Sequence, residues 1–123
     1  AHAKYSGFKV GVSMIYKVDE TGEYEIASGC NVENISYPQG WCAEASAIGQ
    51  MVSKHGGNSK IAHVFVCADD ANGKPVTPCG GCRQKLIEFC SSADTKVHSV
   101  NSKGEVLLVK TIGELLPHAF TDF

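Results

Sequence analysis

The order of apolar patterns predicts an α/β fold, a mixed sheet layered with helices. Three observations carry that prediction. Stretches that alternate with a two-residue period interleave with stretches at helical spacing. Gly, Pro and Asn-Gly clusters separate them at short intervals, with no repeat and no linker. The chain has 123 residues, 43% of them apolar and 20% charged, the profile of one soluble globular domain. A chain of this size removes roughly two thirds of its unfolded surface from water. Residues 1–123 are therefore read as a single domain. The start at Ala1 is abrupt, as though a segment precedes it.

Phe8 to Val18 is rich in Val, Ile, Tyr and Phe and reads as a strand. Asp19-Glu20-Thr21-Gly22 is a turn, and Tyr24 to Cys30 returns as the second arm of a hairpin. Asn31 to Gly40 is a polar loop. Trp41 to His55 reads as a helix on the spacing of Ala43, Ala47, Ile48, Met51, Val52 and His55, stopped by Gly56-Gly57. Ile61 to Ala68 is nearly all apolar, the pattern of a strand covered on both faces. Asp69 to Thr77 is a loop. Pro78 opens a second helix with Cys82, Leu86, Ile87 and Cys90 on its apolar stripe and Gln84, Lys85 and Glu88 facing away. Lys96 to Val100 and Val106 to Thr111 are strands around a Ser102-Lys103-Gly104 turn, and Ile112 to Leu116 is a short last helix.

The net charge is −2, and Arg83 is the only arginine beside ten scattered lysines. No basic stripe tracks a phosphate backbone, so polymeric nucleic acid is not the expected partner. No apolar run has the length of a membrane span and no secretory signal is visible, so a reducing, cytoplasmic setting is expected. In that setting the six cysteines read as thiols and metal ligands rather than three disulfides. Cys30, Cys67 and Cys90 stand singly in apolar surroundings and read as small core residues. The five histidines show no ligand spacing.

Cys79 and Cys82 are different. A C-x-x-C pair alone fits a redox dithiol, half of a structural zinc site or two ligands of a catalytic metal. A closed structural site needs further Cys or His ligands, and no second C-x-x-C exists. Cys42 opens the first helix as Cys79 and Cys82 open the second, and helix N-termini favour thiolates through unpaired N–H groups and partial positive charge. Three thiolates leave a tetrahedral zinc with one open position, the catalytic pattern. Glu44 stands on the same first turn as Cys42, where a carboxylate can carry protons for water held at the metal. C-x-E followed by P-C-x-x-C is a known signature of zinc deaminases.

At this point the sequence resembles the small, homotetrameric, zinc-dependent cytidine deaminases. The resemblance covers nearly the whole chain. It runs through Tyr5-Ser6-Gly7-Phe8-Lys9-Val10-Gly11, Asn31-Val32-Glu33-Asn34, Tyr37-Pro38, Cys42-Ala43-Glu44, Pro78-Cys79-Gly80-Gly81-Cys82-Arg83-Gln84 and Glu114-Leu115-Leu116-Pro117-His118-Ala119-Phe120, in the family's order. It implies a three-layer α-β-α sandwich on a mixed five-stranded sheet. It implies one zinc per subunit on Cys42, Cys79 and Cys82, with Glu44 as proton shuttle. The Ala43 N–H would bind the pyrimidine carbonyl, Phe8 would line the base pocket, and Asn31 and Glu33 would bind the ribose hydroxyls. Phe120 would reach over the base in a neighbouring subunit. Without the resemblance, Phe8 and Phe120 are plain core or interface residues, Asn31 and Glu33 are turn-formers, and Trp41 is packing beside the site.

The implied reaction is hydrolytic deamination of cytidine or 2′-deoxycytidine in pyrimidine salvage. The rival readings are a deaminase of another aminopyrimidine, such as a blasticidin-type antibiotic, and a non-catalytic zinc protein that binds nucleosides. The Asn31/Glu33 pair argues against the first and Glu44 against the second. One departure from the family stands out: many members carry an arginine directly after C-A-E, and here that position is Ala45. The second is a hairpin between Phe8 and Asn31 that is several residues longer than is typical.

Overall fold

The computed structural model describes residues 1–70 and 72–122. Its elements are β1 (Val10–Lys17), β2 (Tyr24–Cys30), α1 (Ala43–His55), β3 (Lys60–Ala68), α2 (Gly80–Phe89), β4 (Lys96–Val100), β5 (Val106–Thr111) and α3 (Ile112–Leu115), with a short 3-10 turn at Tyr37–Gln39. They follow the expected order. The five strands form one mixed sheet, ordered β2-β1-β3-β4-β5. β1 is antiparallel to β2 and β3, β3 is parallel to β4, and β4 is antiparallel to β5.

Boundaries shift by one or two residues for local reasons. Asn31 receives the Val10 N–H on Oδ1 at 2.9 Å and donates from Nδ2 to the Phe8 carbonyl at 2.9 Å. A side chain thus takes the ladder's place at Phe8, and β1 begins at Val10. Trp41 exchanges backbone hydrogen bonds with Val32 at 3.0 and 2.9 Å, which keeps it extended and starts α1 at Ala43. Cys79 is extended (φ −67°, ψ 169°), so α2 begins at Gly80 and not at Pro78. A capping box between Thr111 and Glu114 starts α3.

Alternation sorts the strands into two faces. Val12, Met14, Tyr16, Ala27, Val64, Val66 and Val97 point into a core completed by Ala43, Ala47 and Met51 of α1, Leu86 of α2 and Ile112 of α3. α1, α2 and α3 thus form a helix layer on this face of the expected mixed five-stranded sheet. On the other face Ser13 and Ile15 lie opposite Phe65 and His63. Phe65 stacks on His98 with ring centroids 4.4 Å apart, and His63 Nδ1 is 3.2 Å from His98 Nε2. β3 was expected to be covered on both faces; it is buried on the first and half-buried on the second. No helix among the described residues is long and apolar enough to cross a membrane.

This topology decides where a site can form. β2 and β3 both run opposite to β1, so they run parallel to one another. Each leads through a loop into a helix. The N-termini of α1 and α2 therefore emerge at the same end of the sheet, outside the carboxyl ends of two parallel strands, where open α/β sheets bind ligands.

Candidate metal centre

Cys42 and Cys79 are the N-cap residues of α1 and α2, one position before the first turns in which they were expected. Cys82 lies in the first turn of α2 and is 2% exposed. The helix starts place Cys42 Sγ 2.6 Å from Cys82 Sγ, and both thiols are free. That separation exceeds the ~2.05 Å of a covalent disulfide. A carboxylate oxygen of Glu44 joins them, the three donor atoms lying within 4.8 Å of one another. Glu44 is 5% exposed.

Burial raises the Glu44 carboxyl above its usual range, and burial first, then the neighbouring Cys42 thiol and the Glu44 charge, push the Cys82 thiol up. Cys79 goes the other way: the backbone N–H of Cys82 beside it holds its thiol below the usual range. Acidic groups crowded into so small and buried a space cannot all ionise without a cation. The donors are soft sulfurs beside a carboxylate, the donor set that zinc takes, and two helix N-termini face them. The residues fit zinc.

The structure assigns the expected ligands unequal places. Cys42 and Cys82 are together with Glu44. Cys79 is exposed and outside that trio, although its thiol interacts with that of Cys82. Ala43 is fully buried at the first position of α1, where its N–H has no partner within the helix.

Beside the centre lies a cavity of about 440 Å³ whose wall includes Tyr5, Ser6, Asn31, Glu33, Trp41 and Cys42. Cys42 thus borders both the metal centre and the cavity. Glu33 Oε1 accepts the N–H groups of Tyr5 and Ser6 at 2.9 and 3.0 Å, and Oε2 accepts the Ser6 hydroxyl. These bonds hold its carboxyl below the usual range. Asn31 and Glu33 line the cavity, then, while also fastening residues 5–10 around it. Phe8 is not in this wall; it lines an adjoining cleft with Gly7, Val10, Cys30 and Cys67. The Phe120 side chain is 65% exposed, and its carbonyl accepts Gln84 Nε2 at 2.8 Å. Trp41, read as packing beside the site, forms part of the cavity wall and is 57% exposed.

Two structural supports of the site carry little sequence signal. Arg83 donates from Nε to the Pro78 carbonyl at 2.7 Å, from one terminal nitrogen to the Leu115 carbonyl at 2.7 Å, and from the other to Thr77 Oγ1 at 3.0 Å. It ties the Cys79 loop, α2 and α3 into one piece. Gly29 lets β2 pass directly under α1: a Cβ there would lie 2.6 Å from the Ala43 carbonyl oxygen and would clash with the Ala47 nitrogen. A glycine inside a strand is the one hint of such an approach.

The chain is similar to known proteins along most of its length. Residues 1–98 match the family model described as the cytidine and deoxycytidylate deaminase zinc-binding region. The cytidine deaminase of Halalkalibacterium halodurans is 39% identical over 121 residues, 98% of this chain and 83% of that protein. The cytidine deaminase of Mycobacterium tuberculosis is 34% identical over 120 residues, 98% of this chain and 78% of that protein. The crystal structure of cytidine deaminase from Burkholderia pseudomallei superposes with a TM-score of 0.78 at 36% identity, covering 97% of this chain and 87% of that one.

Proposed function

The chain belongs to the cytidine and deoxycytidylate deaminase family, and from that premise we propose that it hydrolyses the C4 amino group of cytidine and 2′-deoxycytidine. The products are uridine or 2′-deoxyuridine and ammonia. The observation that carries this reading is the buried Glu44 carboxylate beside the Cys42 and Cys82 thiols where two helix N-termini meet. Cys42, Cys79 and Cys82 would hold one zinc. When bound, it supplies the acidity that makes water a nucleophile near neutral pH.

The residues of the chain then do the rest. Glu44 takes a proton from the water that adds to C4 and delivers it to N3. It takes the second proton from the new hydroxyl and hands it to the amino nitrogen, so that the C4–N bond breaks and ammonia leaves. The Ala43 N–H fixes the pyrimidine carbonyl. Asn31 and Glu33, in the cavity wall, receive the ribose hydroxyls, and Phe8 would meet the base from its separate cleft. The enzyme serves pyrimidine salvage in the cytoplasm as a homotetramer in which Phe120 completes a neighbouring site. The exposed Ile35, Tyr37 and Trp41 near the cavity give such a neighbour apolar surface to cover.

The test is the loss of cytidine absorbance in the ultraviolet. Turnover is expected with zinc-loaded protein, ceases when a chelator removes the metal, and returns with added zinc. Zinc-loaded protein that leaves cytidine and deoxycytidine untouched while deaminating a blasticidin-type antibiotic overturns the nucleoside reading. Zinc-loaded protein inert toward all three overturns catalysis.

A further inference from the structure

We propose that Arg83 and Gln84 are the positioning residues of the arm that carries Phe120: consecutive side chains of α2 that fix where the arm leaves the body and where it ends. What Phe120 does rests on the function proposed above; how its arm is held rests on hydrogen bonds and backbone geometry. The arm is short. α3 ends at Leu115, and Leu116-Pro117-His118-Ala119-Phe120 follow. The last carbonyls of a helix have no partner within it, and Arg83 supplies one by donating to the Leu115 carbonyl at 2.7 Å. At the far end Gln84 Nε2 donates to the Phe120 carbonyl at 2.8 Å. Between these anchors the chain bends. Pro117 restricts its own φ. His118 has φ 53° and is the one residue other than glycine with positive φ among the described residues. Side chains seldom adopt that left-handed conformation, and it persists where the surroundings hold it. The two anchors on α2 hold it. The Phe120 side chain is 65% exposed, so the arm is tied down by its main chain while the ring faces outward.

The residue types fit this duty. Arg83 is the only arginine of the chain, and no carboxylate among the described residues forms an ion pair with it. Its three nitrogens go to neutral acceptors in two separate segments. One holds the Leu115 carbonyl; the others hold the Pro78 carbonyl at 2.7 Å and Thr77 Oγ1 at 3.0 Å. A rigid planar fork serves three acceptors in fixed directions, and a single ammonium on a flexible stem does not. Pro78 directly precedes Cys79. The guanidinium therefore joins the arm to the loop that bears one thiol of the metal centre, and Gln84, the next residue, holds the arm's other end.

The test combines amide hydrogen exchange with cytidine kinetics on zinc-loaded native protein, Gln84→Met, Arg83→Lys, Phe120→Ala and Gln84→Met combined with Phe120→Ala. Gln84→Met removes the donor at similar length. It should speed exchange at residues 118–122 roughly three- to tenfold, the effect of one net hydrogen bond, and leave the core amides of β3 at the native rate. KM for cytidine should rise by about the same factor with kcat within about twofold. In the Phe120→Ala background the same substitution should add nothing further to KM, because the two residues act as one unit. Arg83→Lys keeps the charge but not the fork, and should speed exchange both in the arm and at residues 77–79. Native exchange in the arm of either variant, or KM effects of Gln84→Met and Phe120→Ala that simply multiply, overturns the inference. If zinc-loaded native protein deaminates no cytidine, the functional reading falls and exchange alone decides: a faster arm in both variants upholds the fastening, and a native rate in either overturns it.

Discussion

Glu44→Gln should cut kcat by roughly a hundredfold to ten-thousandfold, the usual worth of a positioned proton carrier, while the zinc stays bound. Glutamine keeps the shape and the buried position of Glu44 and removes only its ability to take and give a proton. The substitution therefore separates chemistry from architecture. Turnover measured at saturating cytidine, with zinc content determined on the same sample, gives the answer. This control matters because a Glu44 oxygen lies in the same trio as Cys42 and Cys82. If the variant loses zinc together with activity, Glu44 is a ligand and not the proton shuttle. If it turns over at the native rate, the protons move by another route.

The second large effect is expected at a residue with no chemistry at all. Gly29→Val places side-chain atoms where β2 passes under α1, against the Ala47 nitrogen, 2.6 Å from the Ala43 oxygen and 2.8 Å from Ser46 Cβ. Two of these are backbone atoms of α1, which Cys42 caps, so relief requires the whole helix to shift. Overpacking of this kind costs about 3 kcal/mol or more, a fall in Tm of roughly 10 °C for a chain of this size. Zinc affinity should fall with it, because Cys42 and Ala43 move with the helix. Gly49→Ala on the same helix meets nothing within 4 Å, and should leave stability unchanged or raise it by about 0.5–1 kcal/mol. Thermal melts of the two variants side by side check the contrast. Equal melting temperatures would contradict the close crossing.

What could be read from the sequence is what local chemistry encodes. The order of strands and helices follows from apolar period, and the Cys42, Glu44 and Cys82 cluster follows from helix starts carrying thiols at motif spacing. Helix starts shifted by one or two residues because extended residues at Trp41 and Cys79 are set by their place in the fold, not by their own propensity. The duties of Asn31 and Glu33 were only half legible. Their binding partners on residues 5–10 lie more than twenty positions away, and no local pattern announces them. Gly29 is the extreme case: its role exists only once β2 and α1 are packed.

The proposed reaction requires that three cysteines hold one zinc and leave Glu44 free to move protons. X-ray absorption at the zinc edge of the loaded protein tests it most directly. Three sulfur scatterers near ~2.3 Å and one lighter atom are expected. Two sulfurs with two lighter atoms would contradict it, placing Glu44 on the metal and the exposed Cys79 off it.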